Sequence, residues 1–210
     1  STYQYAKLSY ELGYQDEALS SLRTFLNDYP NSVYNTEAKD LLVAVLTNTN
    51  NFREAQALLE SLNKPTENSK RLYPRILYGR ATELINDGRL AEAGSMLDKA
   101  LADPYNGSVL PLLNFWKGEL AYRDNKIDDA IKYFHAYLEA GAPASGEANS
   151  NNARYNLGYC YLRKENYPVA LTFFEPFSKN PSLASGAFTK DAYIRTADCF
   201  YMQRDYTRAR

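Results

Sequence analysis

The chain has 210 residues, of which 45% are hydrophobic and 14% aromatic, with 19 Tyr, 9 Phe and a single Trp, so a sizeable interior is within reach. Lys and Arg total 24 against 25 Asp and Glu, a formal charge of -1, and the basic clusters Lys70-Arg71 and Arg163-Lys164 are too short to form a nucleic-acid stripe. The apolar run Leu41 to Leu46 is too short to cross a bilayer, and no basic start followed by an apolar segment is present.

Taken from the start, the chain is punctuated at regular intervals. Leu12-Gly13-Tyr14 breaks the first helical stretch, Ala18 follows, and Tyr29-Pro30-Asn31-Ser32 closes the second stretch. Asn50-Asn51-Phe52 then precedes Ala55, and Asn63-Lys64-Pro65 closes that helix. Asp87-Gly88-Arg89 leads to Ala93 and Asp103-Pro104-Tyr105-Asn106-Gly107; Asp124-Asn125-Lys126 leads to Ala130 and Ala140-Gly141-Ala142-Pro143. Glu165-Asn166-Tyr167 leads to Ala170 and Asn180-Pro181-Ser182, and Arg204-Asp205-Tyr206 leads to Ala209. The six alanines are 37, 38, 37, 40 and 39 residues apart. Two breaks per period leave two helices per period, so the expected fold is all-α with about six helix pairs.

The breaks have physical content. Gly13, Asn50, Gly88 and Asn125 stand where a helix ends and a left-handed backbone angle is useful. Asn51 with Glu54 has the spacing of a capping box, and Ser32 and Ser108 are expected to cap the helices after them. Pro168 falls in a first turn, where a missing N–H is harmless, whereas Pro176 should kink its helix or end it early. Within a second helix, Ile127, Ala130, Ile131, Phe134 and Leu138 recur at helical spacing. Helices this short cannot bury an apolar face alone and must stack on neighbours. The units expected are roughly 1–30, 31–65, 66–104, 105–143, 144–181 and 182–210, forming one solenoid domain. Neither end carries a polar capping face, which reads as a fragment of a longer protein.

This arrangement resembles the tetratricopeptide repeat family. Leu157-Gly158, Tyr161, Tyr167, Ala170 and Phe174 fall at the family's spacing, with Pro181 near its closing proline. Gly118, Ala130 and Phe134 repeat the pattern one unit earlier, although Lys117 replaces the expected leucine. Ala18, Leu22 and Pro30 are kept in the first unit; Ala55 with Leu59, and Ala93 with Leu97 and Ala100, are kept in the next two, which lose the glycine. HEAT and armadillo repeats are the nearest alternatives, and the small-residue positions and short helix pairs stand against them. An irregular helical bundle is the remaining option. The segment Phe25-Leu26-Asn27-Asp28-Tyr29-Pro30-Asn31-Ser32, followed by Ala38, is similar to a junction of bacterial envelope repeat proteins, the outer-membrane assembly lipoprotein and the Tol–Pal coordinator.

The resemblance implies a right-handed superhelix in which first helices line a concave surface. On that pattern the peptide-binding set is Tyr78 and Thr82; Phe115, Glu119, Tyr122 and Arg123; Asn152, Tyr155, Asn156, Tyr159 and Arg163; and Ile194, Asp198 and Tyr201. Independently of the family, Tyr155, Tyr159 and Arg163 are four apart and share one helix face. An aromatic face beside Asn and Arg can hold an extended chain, and Arg123 and Arg163 could grip a carboxylate. The set has no Lys/Arg ladder of the kind the family uses to clamp chaperone tails. Trp116 is equally at home in a repeat core or a site. Gly118 and Gly158 read as packing glycines.

One histidine, His135, cannot form a metal cluster unaided, and no nucleophile is paired with it. The segment Gly141 to Gly146 is a spacer, not a phosphate loop. Cys160 and Cys199 occupy one position in consecutive units, about a helix diameter apart, too far for a disulfide. The expected function is therefore a non-catalytic scaffold for another protein or peptide segment, without cofactor, metal, nucleic acid or a membrane span. The bacterial periplasm, or the periplasmic face of the outer membrane, is the favoured compartment and the cytoplasm the alternative. A structural spacer in a large envelope protein is the alternative function.

Overall fold

A computed structural model of the chain describes residues 2–180 and 186–210. Among these the secondary structure is helical throughout, apart from one isolated bridge between Ser145 and Ala148. The elements are α1 (Thr2–Glu11), α2 (Gln15–Asp28), α3 (Asn35–Asn48), α4 (Phe52–Ser61), α5 (Glu67–Asn86) and α6 (Leu90–Ala102). A short 3-10 turn, Asn106–Ser108, follows, then α7 (Leu110–Arg123), α8 (Ile127–Glu139), α9 (Ser150–Arg163), α10 (Tyr167–Lys179) and α11 (Gly186–Met202). The expected break at Pro181-Ser182, and with it the family's closing proline, lies outside the described residues.

The turn inside every helix pair has one construction. Gly13, Asn50, Gly88, Asn125, Glu165 and Arg204 all have positive φ, between 56° and 84°. At each, the next N–H reaches back five residues: Tyr14 to the Ser9 carbonyl, Asn51 to Leu46, Arg89 to Leu84, Lys126 to Ala121, Asn166 to Tyr161 and Asp205 to Phe200. This closes the helix end in a Schellman motif, satisfying carbonyls that would otherwise be orphaned. Glycine and asparagine adopt this angle cheaply, which is why the left-handed angle is legible in sequence at four of the six turns. Glu165 and Arg204 hold it against a cost of about 1–2 kcal/mol each, because the same hydrogen bonds enforce it.

The ruler alanines mark where paired helices touch. Ala18, Ala55, Ala93, Ala130 and Ala170 have no exposed surface. Ala209 is half-buried in the last turn, where its N–H still donates to the Asp205 carbonyl in the same register. Glycine takes over where a ring presses closer still. A Cβ on Gly158 would sit 2.7 Å from the Phe174 ring, and one on Gly118 would sit 2.9 Å from Phe134. Gly79 does the same for Phe52, but across the joint from one helix pair to the next.

The chain divides into two compact units, residues 1–109 and 110–210. In the first, α3 is the centre: Ala38 and every residue from Leu42 to Thr47 are buried. That explains the apolar run, since α3 packs against α2, α4 and α5 and the stretch from Leu42 to Thr47 leaves no face for solvent. Each of those leucines and valines contributes roughly 1.5–3 kcal/mol by leaving water. In the second unit, Phe115, Phe134 and Tyr137 form an edge-to-face cluster, and Phe174 and Phe177 join Ala170, Ala192 and Cys199 in another.

Several local expectations fail, each for a visible reason. Asn51 does not cap α4; its amide donates to Thr49 Oγ1 at 2.7 Å, and Glu54 is taken by Arg23 on α2. Ser32 Oγ accepts from Tyr34 N–H at 3.3 Å, three residues before α3 begins, and Ser108 ends the 3-10 turn without capping α7. The side-chain caps found are Thr66, Asn149 and Asn166, each accepting from the N–H three residues on. Pro168 does lie in the first turn of α10, but Pro176 does not end that helix early. Asn180 N–H returns to the Pro176 carbonyl and α10 runs on to Lys179.

Candidate functional site

The three first helices of the second unit, α7, α9 and α11, carry most of the predicted binding set. Their facing side chains form a ladder of polar contacts. The Asn156 amide donates to the Glu119 carboxylate. Burial pushes the Glu119 carboxyl above its ordinary value, while Arg123 and the Asn156 amide pull it back down. Beside them the Arg163 guanidinium lies over the Tyr122 ring, 4.2 Å from its centroid, and donates to the Tyr122 carbonyl at 3.4 Å.

One step on, Tyr155 and Tyr159 both donate to the same oxygen of Asp191, each at 2.5 Å. Arg195 closes the group, with Nε donating to the Tyr159 hydroxyl at 3.0 Å and its other nitrogens facing Asp191 and Asp198 at 3.4 and 2.8 Å. The rings stand edge-on to each other, 5.2 Å apart, and both press on Phe174. Burial and the Asp191 carboxylate raise both phenols above the usual tyrosine value, Tyr155 the further, while Arg195 pulls Tyr159 back down. Their hydroxyls are thus committed within the chain.

The open part of this face lies at the ends of α9 and α11. A cavity of about 370 Å³ is lined there by Leu162, Arg163, Glu165, Tyr167, Asp198, Tyr201 and Met202. Three of the predicted residues, Arg163, Asp198 and Tyr201, meet in it. Tyr201 is 61% exposed and Ile194, further along α11, is 55% exposed. Arg123 is also exposed, with Glu119 at 3.9 Å.

Other members of the set are placed elsewhere. Phe115 is 1% exposed, locked edge-on between Trp116, Phe134 and Tyr137, so it belongs to the core and leaves the set. Trp116 is buried with it. The Asn152 amide turns to the Glu147 carbonyl at 2.8 Å and stabilises the loop before α9. Tyr78 and Thr82 lie on α5 in the first unit, both half-buried, and Thr82 Oγ1 bonds back to the Gly79 carbonyl at 2.8 Å. Sequence reasoning missed Asp191 and Arg195. Their spacing with Asp198 along α11 was visible, but only the packing of α11 on α9 and α10 makes it meaningful.

The remaining chemistry-bearing groups are structural. His135 is half-buried, 3.5 Å from the Tyr161 hydroxyl and edge-on to Phe173. Cys160 and Cys199 are buried free thiols, pushed up to about 12 and about 11 by burial first and neighbouring carboxylates second. Among the described residues no His, Cys, Asp and Glu cluster could hold a metal ion, and no helix is long and apolar enough to cross a membrane.

Comparison with known proteins agrees with this architecture. One tetratricopeptide repeat model matches residues 78–145 and 117–176, and a second tetratricopeptide repeat model matches residues 1–32. Together they span more than half of the chain. Among solved structures, BtubC (BKLC) from P. vanneervenii superposes with a TM-score of 0.58 at 18% identity, covering 96% of this chain and 86% of that one. MamA of AMB-1 gives 0.54 at 14% identity, over 81% of this chain and 90% of its own. A tetratricopeptide repeat protein from Parabacteroides merdae ATCC 43184 gives 0.54 at 16% identity, over 99% and 74%. At these identities the likeness is one of fold. None of the curated proteins matches the sequence.

Proposed function

Because the chain belongs to the tetratricopeptide repeat family, whose fold commonly mediates protein–protein interaction and is generally non-catalytic, we propose that it is a scaffold that holds a peptide segment of another protein. The observation that carries this reading is the cavity at the ends of α9 and α11, where Arg163, Asp198 and Tyr201 converge beside exposed apolar surface. A guanidinium, a carboxylate and a phenol within one cleft can fix an extended backbone and one charged side chain. In this reading Tyr155 and Tyr159, whose hydroxyls are bonded within the chain, leave the ligand contacts to Arg163, Asp198 and Tyr201.

The test is to select peptide ligands against the intact protein from a random library, then measure their affinity for a variant carrying Arg163→Glu and Tyr201→Ala. Both side chains are exposed, so the melting curve should hardly move while affinity falls at least tenfold. Undiminished binding sinks the assigned surface. The bacterial cell envelope is the compartment this reading suggests, on the likeness of the Tyr29-Pro30-Asn31-Ser32 corner.

A second reading, a structural spacer with no dedicated ligand, is favoured by one observation. Both hydroxyls of the tyrosine pair are bonded within the chain. A library that yields no ligand for the wild-type protein would support the spacer over the scaffold.

A further inference from the structure

The first unit contains a separate cleft of about 390 Å³, between the end of α4, the start of α5 and the loop after α6. That volume lies at the lower end of the range of roughly 300–1,000 Å³ typical of small-ligand sites, enough for two side chains. Its walls are the side chains of Leu59, Leu62, Pro65, Pro104, Tyr73 and Tyr105. Both phenols are tethered: Tyr73 donates to Glu60 at 2.6 Å, and Tyr105 donates to Glu67 at 2.6 Å. The rings are therefore held before any ligand arrives, which removes part of the ordering cost of binding.

The polar groups of the cleft select the sign of the ligand. Both tyrosine hydroxyls already donate to carboxylates, and Lys70, the cation on the wall, is held by Glu67 at 2.7 Å. An anion entering the cleft meets donors that are already engaged. Glu60 is neutralised by Lys99 at 3.9 Å and takes bonds from Tyr73 and Gln56. Asp103 differs. One of its oxygens accepts the Tyr105 N–H at 2.8 Å, and among the described residues no cation lies within ion-pair distance of it. The Tyr105 ring already carries a cation, the Arg71 guanidinium 4.9 Å from its centroid, so the cleft offers a carboxylate without an ion-pair partner beside the Tyr73 ring, a combination that attracts a cation on a hydrocarbon stem.

We propose that this cleft binds a basic segment of a partner protein, taking an arginine side chain against Asp103 and the Tyr73 ring with an adjoining apolar side chain between Pro65 and Pro104. It is distinct from the α9–α11 cavity, all of its lining belonging to the first unit.

The test is a nuclear magnetic resonance titration of the intact protein with three capped dipeptides: acetyl-Phe-Arg-amide, acetyl-Phe-Gln-amide and acetyl-Phe-Glu-amide. The arginine peptide should bind most tightly and shift signals in residues 62–70 and 103–106. Asp103→Asn keeps an acceptor for the Tyr105 N–H, so the loop should stay folded, while affinity for the arginine peptide falls about tenfold, the size of a lost charge-assisted bond. Affinity for the glutamine peptide should not change in that variant. Lys132→Glu, at an exposed position of α8 in the second unit, should leave all three unchanged. Equal binding of the arginine and glutamate peptides, shifts confined to other residues, or an Asp103→Asn variant that binds the arginine peptide as well as wild type would each overturn the proposal.

Discussion

The Tyr3 hydroxyl donates to the Glu37 carboxylate at 2.8 Å, joining α1 to α3. The same step recurs far along the chain, where Tyr155 on α9 donates to Asp191 on α11. Each tyrosine stands ten residues before the left-handed residue of its own turn, and each carboxylate thirteen before that of the next. One step between first helices in each unit is thus latched by a tyrosine–carboxylate bond at the same repeat position. Burial and the Glu37 carboxylate push the Tyr3 phenol up to about 12, as expected for a donor held against an anion.

The latch on α9 can be weighed by removing one oxygen. Tyr155→Phe keeps the ring against Phe174 but removes the bond to Asp191. Chemical denaturation should show a loss of about 1–2 kcal/mol. Asp191→Ala should cost more, because it strips two phenols and Arg195 of their shared partner. If both variants unfold at the wild-type denaturant concentration, the ladder is ornamental.

Close packing at the glycines predicts a sharp contrast. Gly158→Ala places a methyl 2.7 Å from a fully buried ring that has nowhere to move. It should lower stability by about 1–3 kcal/mol. Gly107→Ala, with no atom within 4 Å of the new methyl, should be close to neutral. Comparing the two urea midpoints checks the argument.

Glu119 sets a pH dependence whose sign is unusual for a carboxylate. Its folded-state value is raised, so the folded protein binds the proton more tightly than the unfolded chain. Stability from this group is therefore fully present below its unfolded value and declines as pH rises through the folded one. Glu119→Gln, fixed in a neutral form, should narrow that decline. Melting temperatures of wild type and variant between pH 4 and pH 7 should converge at the acid end. A gap that instead widens toward acid would contradict the assignment.

The two thiols offer a direct probe of the repeat core. With Cys160 and Cys199 fully buried and their thiols pushed up to about 12 and about 11, neither should react with a disulfide reagent at neutral pH in the folded protein. Both should react once the chain is denatured. Rapid labelling of the native protein would show that α9 and α11 open readily.

The period, the two helices within it and the left-handed corners at Gly13, Asn50, Gly88 and Asn125 could be read from the sequence alone. These are local matters. A helix end, a small residue at a contact and an apolar stripe depend on residues three to five apart, and the backbone angle of each corner on one residue type. The availability of particular side chains could not be read in this way. Tyr155 and Tyr159 share a helix face with Arg163, as their spacing requires, yet their hydroxyls are taken by Asp191, more than thirty residues away. Phe115 sits at a first-helix position that the family pattern turns toward the ligand, but three aromatic neighbours enclose it. Gly79 has the Phe52 ring of the preceding helix pair against it, a contact that no spacing along α5 announces. Sequence determined which helices exist and how often they recur, because those depend on short-range sterics. Tertiary structure decided which polar groups remain for a partner, because a side chain is free only when nothing distant in the chain reaches it first.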